Sequence, residues 1–272
     1  MKVKLCGNVT YDCILQSDST LEWRSNPCHA HRIQAGGLVN TARILRKLDQ
    51  NLEITIHSNC VVNTGNPQSI VAEEIKTLGA FIGGPQLLGD ISVATILQGK
   101  DSKISGLSLG KDCIIDTYNL VDETTDWYHF SYLDTLKNVD GKDFLIPRIE
   151  TGIVSVDLVT PGKDLLPTVY KSLPNIDYLI VSDAEIDCTD LILHQKIVSS
   201  LKKALIIHAK HTTLFIGKDS LFTHINHSGI LGERDVVGAG DAFVAGYITH
   251  TDVPLATKVA FDYCIDSFLG KH

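Results

Sequence analysis

Short runs rich in β-branched and aromatic residues alternate with helical hydrophobic patterns along most of this 272-residue chain, and that alternation restricts the fold more than any single motif. Val3 to Val9 reads as a strand, Gly37 to Leu48 as a helix, Leu52 to His57 as a strand and Gln68 to Leu78 as a helix. Strands are expected again at Trp127 to Phe130, Ile153 to Leu158, Tyr178 to Val181 and Ala204 to Ile207. Strands separated by helices imply a parallel sheet covered by those helices. Leu255 to Leu269 carries Ala256, Val259, Ala260, Tyr263, Cys264 and Phe268 at three- and four-residue steps, so this helix is assigned to packing alone. Two stretches, Cys13 to Gln34 and Ile91 to Leu109, break the rhythm and read as short strands and turns unable to complete a crossover unit.

The chemistry concentrates near the C-terminus, in Asp235-Val236-Val237-Gly238-Ala239-Gly240-Asp241-Ala242-Phe243. Two glycines around one alanine let the N–H groups of Val237, Gly238, Ala239 and Gly240 point into a common hollow, and the helix that starts there adds its positive end, so an anion is attracted. Asp241 is the odd member. A fixed carboxylate repels phosphate in the ground state but accepts a proton from a hydroxyl that attacks that phosphate. Upstream, Gly36-Gly37-Leu38-Val39-Asn40-Thr41-Ala42 marks another strand-to-helix junction, and Gly7-Asn8-Val9-Thr10-Tyr11-Asp12 is expected to end the first strand. Asp12 and Asn40 are suited to holding hydroxyls, while Gly36 and Gly37 allow close backbone approach.

Together these three segments resemble the ribokinase-like (PfkB) carbohydrate and nucleoside kinases, in order and across nearly the whole chain. The resemblance implies a single three-layer α/β/α domain around a mainly parallel sheet, with the stretches 13–34 and 91–109 forming one discontinuous β lid. It implies transfer of the γ-phosphoryl group of ATP, with Mg2+, to a primary hydroxyl of a small sugar or polyol. Asp241 would be the base, residues 237–240 the anion hole, and Asp12, Gly36, Gly37 and Asn40 the sugar contacts. Ser182-Asp183-Ala184-Glu185 is similar to the family's Asn-x-x-Glu segment, with Ser in place of Asn, so Glu185 is expected to organise magnesium through water. His208, Lys210 and Thr213 stand where the family carries Thr-x-Gly-x-x-Gly, and with Ser182 they are the expected nucleotide positions. A nucleoside kinase on the same scaffold and a non-catalytic sugar or nucleotide sensor are the alternatives. Trp23 is the only large aromatic of the first lid stretch, which favours a sugar over a base that needs stacking area.

Composition narrows the partners. A net charge of −8 disfavours nucleic acid, whose binding relies on Lys and Arg, but does not oppose a small phosphate ligand. No run approaches the length of a membrane span, and the lysines at Lys2 and Lys4 precede an apolar stretch that Asn8, Tyr11 and Asp12 interrupt too early for a signal peptide. Seven cysteines without a CxxC pair fit buried free thiols in a reducing compartment, so the cytoplasm is expected. A homodimer formed through the lid is compatible with this reading. Gly106-Leu107-Ser108-Leu109-Gly110-Lys111-Asp112 imitates a P-loop but lacks the Ser or Thr after its lysine, and no G-x-G-x-x-G follows the first strand. Cys28-His29-Ala30-His31 and the pair His224 and His227 do not supply the converging ligands that zinc requires.

Overall fold

Lys2–Gly7 is the strand around which the chain is organised. The computed structural model describes residues 1–17, 28, 30–58, 67–83, 91–99, 103–108, 113–115, 117, 120–159, 165–209, 211–219, 222–226 and 238–268. The elements in the first half are β1 (Lys2–Gly7), β2 (Val9–Gln16), β3 (Ala30–Gly37), α1 (Leu38–Leu48), β4 (Glu53–His57), α2 (Pro67–Thr77), β5 (Phe81–Gly83), β6 (Ser92–Gln98), β7 (Lys103–Ser108), β8 (Cys113–Ile115) and β9 (Trp127–Ser131). After them come β10 (Leu136–Asn138), β11 (Ile153–Val156), α3 (Pro167–Ser172), β12 (Tyr178–Ser182), α4 (Leu191–Ser200), β13 (Ala204–His208), β14 (Thr212–Gly217), β15 (Phe222–Asn226), α5 (Ala239–His250) and α6 (Val253–Phe268).

The large sheet has nine strands in the order β15-β14-β13-β12-β11-β9-β1-β4-β5. From β5 to β13 every neighbouring pair is parallel, and an antiparallel hairpin of β14 and β15 extends the β13 edge. Because both faces are covered, the central strands read as continuous apolar runs, such as Leu205-Ile206-Ile207. Val3, Leu5, Ile54, Ile180 and Ile206 face α1, α2, α5 and α6 in one core, whereas Cys6, Phe130, Leu179, Val181 and Leu205 face α3 and α4 in the other. The result is the expected three-layer α/β/α sandwich.

From β1 the chain turns to β4 on one side and later places β9 on the other, so a crevice opens where the strand order reverses. The first strand is shorter than expected. It ends at Gly7, and β2 leaves for a separate four-stranded sheet in the order β3-β2-β6-β7. Asp12 therefore sits within β2 of this smaller sheet, not at the end of the first strand. The described parts of the two irregular stretches meet here, β2 pairing antiparallel with β3 and parallel with β6. Strands β8 and β10 form a separate parallel pair. Among the described cysteines, Cys6, Cys13, Cys28, Cys188 and Cys264 form no disulfide; Cys6 and Cys264 are buried as expected, whereas Cys28 is exposed. Among the described residues no helix is long and apolar enough to cross a membrane.

Candidate active site

Two glycines seat the start of α1, each for its own reason. A Cβ on Gly36 would lie 2.0 Å from Asp12 Oδ2, so the carboxylate occupies the volume a side chain would need. Gly37 has φ 56° as the residue before the helix, and a Cβ there would meet the Asn8 carbonyl at 2.5 Å. Thr10 Oγ1 donates to Asp12 Oδ1 at 2.6 Å. Burial raises the Asp12 carboxyl above its ordinary value, and Thr10, Arg43 and Asn40 work against that rise.

Asn40 is the third residue of α1 and is buried. Its Oδ1 accepts from Arg43 Nη1 at 2.7 Å and from Gln34 Nε2 at 3.4 Å, which turns Nδ2 toward Asp241 Oδ2 at 3.3 Å. Thr41 Oγ1 donates to the other oxygen, Asp241 Oδ1, also at 3.3 Å. Arg43 is itself held, donating to the Ala35 carbonyl at 3.0 Å and to Glu74 Oε2 on α2 at 2.6 Å. Glu74 Oε1 in turn accepts from the Ala35 N–H at 3.1 Å. Through this chain α1 and α2 grip the end of β3 and fix which atom of Asn40 faces the site.

Asp241 lies in the first turn of α5, half-buried between that helix and α1. Burial raises its carboxyl to about 7, with Asp157 and Asp12 adding to the rise while Asn40 and Thr41 oppose it. A carboxyl that titrates there is ionised often enough at neutral pH to take a proton, and basic enough to hold it. Gly238 precedes α5 with φ 88°, and Gly238, Ala239 and Gly240 are half-buried; Val237 falls outside the described residues. Helix α6, assigned from its stripe to packing alone, also reaches this point. The Tyr263 hydroxyl stands 2.8 Å from where a Gly238 Cβ would be, and its phenol is raised by burial and by Asp241, while Arg43 and Arg32 lower it. Arg32 on β3 has an Nε that finds no hydrogen-bond partner among the described residues.

On the other side, Ser182 closes β12 and anchors Glu185. The Ser182 N–H donates to Glu185 Oε2 at 2.5 Å, and the Ser182 hydroxyl donates to the same oxygen. Burial raises the Glu185 carboxyl, Ser182 lowers it, and Asp157 and Asp134 raise it further. His208 ends β13 in register with Ser182 and Thr213. Its ring stacks on Phe243 of α5, with centroids 5.1 Å apart and planes 28° from parallel, against the helix start at Gly240. Thr213 is buried in the β13–β14 pairing, and Lys210 falls outside the described residues.

No group of three or more His, Cys, Asp or Glu residues suited to a metal occurs among the described residues. The Glu185 carboxylate, clasped by Ser182, has the chemistry that would order water around a magnesium ion held by phosphates.

Two residues at the crevice were absent from the sequence expectations. Asp157, just after β11, accepts the Tyr132 N–H through Oδ1 at 2.6 Å and the Ser131 hydroxyl through Oδ2 at 2.9 Å, and Oδ2 lies 3.4 Å from His129 Nε2. Tyr132, just after β9, is held left-handed at φ 59°, ψ 45°, a conformation that costs a non-glycine residue of order 1 kcal/mol. Nothing in the pattern Phe130-Ser131-Tyr132 announces that backbone.

No family model and no curated protein matches the sequence. Solved structures do. A microbiome-derived acarbose kinase aligns with TM-score 0.66 at 16% identity, over 96% of this chain and 90% of that one. Ribokinase from Thermotoga maritima aligns with TM-score 0.62 at 14% identity, over 95% of this chain and 88% of that one. Adenosine kinase from Schistosoma mansoni in complex with adenosine aligns with TM-score 0.69 at 14% identity, over 97% and 94%. The chain therefore has the ribokinase-like fold, that of these carbohydrate and nucleoside kinases.

Proposed function

We propose that this chain is an ATP-dependent phosphotransferase acting on a primary hydroxyl of a small sugar or polyol. The observation that carries the reading is Asp241: a carboxyl raised to about 7 at the start of α5, held between Asn40 and Thr41. In the reaction Asp241 takes the proton of the acceptor hydroxyl, the hydroxyl oxygen bonds to the γ-phosphorus, and the bond from that phosphorus to the β–γ bridging oxygen breaks to release ADP. The N–H groups at 237–240 and the positive end of α5 stabilise charge on the transferred group. Asp12 and Asn40 orient the acceptor, with Gly36 and Gly37 providing the space. Ser182, His208, Lys210 and Thr213 belong to the nucleotide side. Glu185 would hold a magnesium ion through water, and that ion would supply charge neutralisation to the nucleotide phosphates.

The smaller sheet is the lid over the acceptor, and its closure excludes the water that would hydrolyse ATP. Kinases of nucleosides share the fold, including one from Methanocaldococcus jannaschii, so a nucleoside acceptor is the second reading. A sensor without turnover gains nothing from an anion beside phosphate, and Asp241 speaks against it.

Asp241→Asn keeps the size of the side chain and removes the base. Turnover with the best acceptor from a screen of sugars, amino sugars and nucleosides should fall roughly 10²- to 10⁴-fold, while nucleotide affinity by calorimetry holds or improves. Wild-type turnover in this variant would overturn the mechanism.

A further inference from the structure

A row of polar side chains runs through one face of the large sheet. Side chains alternate along a strand, so Trp127, His129 and Ser131 of β9 share a face, while Tyr128 and Phe130 point into the other core. Ser155 of β11 pairs with His129 in register, which puts Ser155, and Asp157 two residues on, beside them. This is the face that α5 covers: Trp127 lies in the same core as α5, and its ring meets Tyr247 of that helix edge-on, with centroids 6.4 Å apart. From that contact the row climbs β9 to Ser131 over roughly 13 Å, and α5 runs beside it from Tyr247 back to Asp241 over roughly 9 Å. Both reach the crevice together.

Donors and acceptors follow one order along the row. Trp127 Nε1–H can only donate, and it donates to Ser155 Oγ at 2.7 Å. The Ser155 hydroxyl hydrogen is then directed at His129 Nδ1, 2.9 Å away, which leaves the ring proton on Nε2. That nitrogen faces Asp157 Oδ2 at 3.4 Å, an electrostatic contact longer than a full hydrogen bond, and it finds no hydrogen-bond partner among the described residues. On the β1 side the register neighbour of His129 is apolar Leu5. The His129, Ser131 and Ser155 side chains are buried, whereas 15% of the Asp157 side chain remains exposed at the crevice. Asp241 faces the charges of Asp157 and Asp12, the donors of Asn40 and Thr41, and the Tyr263 phenol from α6.

We propose that His129 is a positioning residue of the site: its ring, locked as the Nε2–H tautomer by Trp127 and Ser155, holds the Asp157 carboxylate at the crevice and offsets part of the charge that Asp157 presents to Asp241. The consequence for catalysis rests on Asp241 being the base of the proposed phosphotransferase; the arrangement of the row does not. A packing role alone needs a ring of this size but not a nitrogen aimed at a carboxylate. With the N–H removed, Asp157 keeps its two other donors, the Ser131 hydroxyl and the Tyr132 N–H, and its negative charge is less compensated. A like charge disfavours the ionised form of its neighbour, so the Asp241 carboxyl should rise further.

The test reads the titration of the Asp241 carboxyl directly, by carbon-13 NMR from pH 4 to 9, with its signal assigned by its loss in Asp241→Asn. Wild type is compared with His129→Phe, His129→Gln, Asp157→Asn and the double variant Asp157→Asn, His129→Phe. Phenylalanine keeps a ring and removes the nitrogens, whereas glutamine can place an amide N–H where Nε2 stands. His129→Phe should raise the Asp241 midpoint by about 0.3 to 1 unit, His129→Gln should bring it back toward wild type, and in the Asp157→Asn background His129→Phe should shift nothing. A merely structural role would lower the thermal midpoint without this pattern. If His129→Phe does not fold, Ser155→Ala replaces it: the tautomer is then no longer fixed, and the midpoint should move in the same direction by less. Nitrogen-15 NMR of the wild-type ring should show the proton on Nε2. The inference is overturned by a proton on Nδ1, by an Asp241 midpoint indifferent to His129, or by an equal shift in the Asp157→Asn background. Since none of these signals needs turnover, the expected pattern in a chain that phosphorylates no acceptor would remove the phosphotransferase reading and leave this one standing. A base-dependent rate with no effect of His129 would do the reverse.

Discussion

The proposed acceptor side and the proposed nucleotide side of the crevice are built in different ways. On that acceptor side, Asp12, Gly36, Gly37, Asn40, Thr41 and Arg43 interlock, the glycines because a Cβ would collide with Asp12 or the Asn8 carbonyl and the others through hydrogen bonds. On the nucleotide side, the described residues make a looser set: a Ser182–Glu185 clasp and a His208 ring stacked on Phe243, with Thr213 buried behind them. The difference teaches where substitutions should act on specificity and where they should act on fit. An interlocked site fails as a unit, whereas a stacked ring can be trimmed at modest cost.

The largest effects should therefore fall on the acceptor side. Gly36→Ala pushes a methyl group into the Asp12 carboxylate, and Asn40→Ala removes the bridge to Asp241. Each should cost acceptor kcat/KM at least roughly ten- to a hundredfold, the loss expected when a hydrogen bond to a charged group disappears, while the ATP KM stays near wild type. Equal damage to both substrates would erase the distinction between the two sides.

His208→Ala should act in the opposite sense and more weakly. Losing the stacked ring removes roughly 0.5–1.5 kcal/mol of aromatic contact, so the thermal midpoint should drop by a few degrees and the ATP KM rise several-fold with little change at the acceptor. A variant that loses acceptor use instead would show that His208 belongs to the other half.

A finer test splits the charges around Asp241. Thr41 lowers its carboxyl and Asp157 raises it, so Thr41→Val should shift the acid limb of the rate profile to higher pH and Asp157→Asn to lower pH, each by a fraction of a unit to about one unit. Shifts in the same direction would contradict the assignment of causes. Linkage gives a companion result on stability. A carboxyl raised from 3.8 to about 7 by folding lends stability that is complete below the unfolded value and is lost as pH rises through about 7. Asp241→Asn should consequently melt higher than wild type at pH 8, by at least about 2 °C, with the gap closing near pH 4.

Much of this was legible in the sequence. The parallel sheet showed because strands buried on both faces are uninterrupted apolar runs, and the helix at Asp241 showed because two glycines and an acidic residue mark its start. Asp12 was assigned to the wrong strand because the pattern from Val3 through Tyr11 runs on past Gly7, and periodicity carries no information about which sheet a strand joins. The strands Thr212–Gly217 and Phe222–Asn226 were hidden in a segment read only for its nucleotide positions. Tyr263 was counted in a core stripe because three- and four-residue spacing identifies a face, not how far a phenol reaches beyond it. Tyr132 gave no signal, since its backbone conformation is imposed by Asp157 from another strand.

The central claim, that Asp241 is the base, is tested most directly by the pH dependence of kcat/KM for the acceptor from pH 5 to 9 in wild type and in Asp241→Asn. Because the ionised carboxylate is the active form, the wild-type rate should climb tenfold per pH unit on the acid side, bend near 7 and level off above it. The variant should be slow and lack that bend. A wild-type profile flat from pH 5 to 9, or the same bend surviving in Asp241→Asn, would contradict the account.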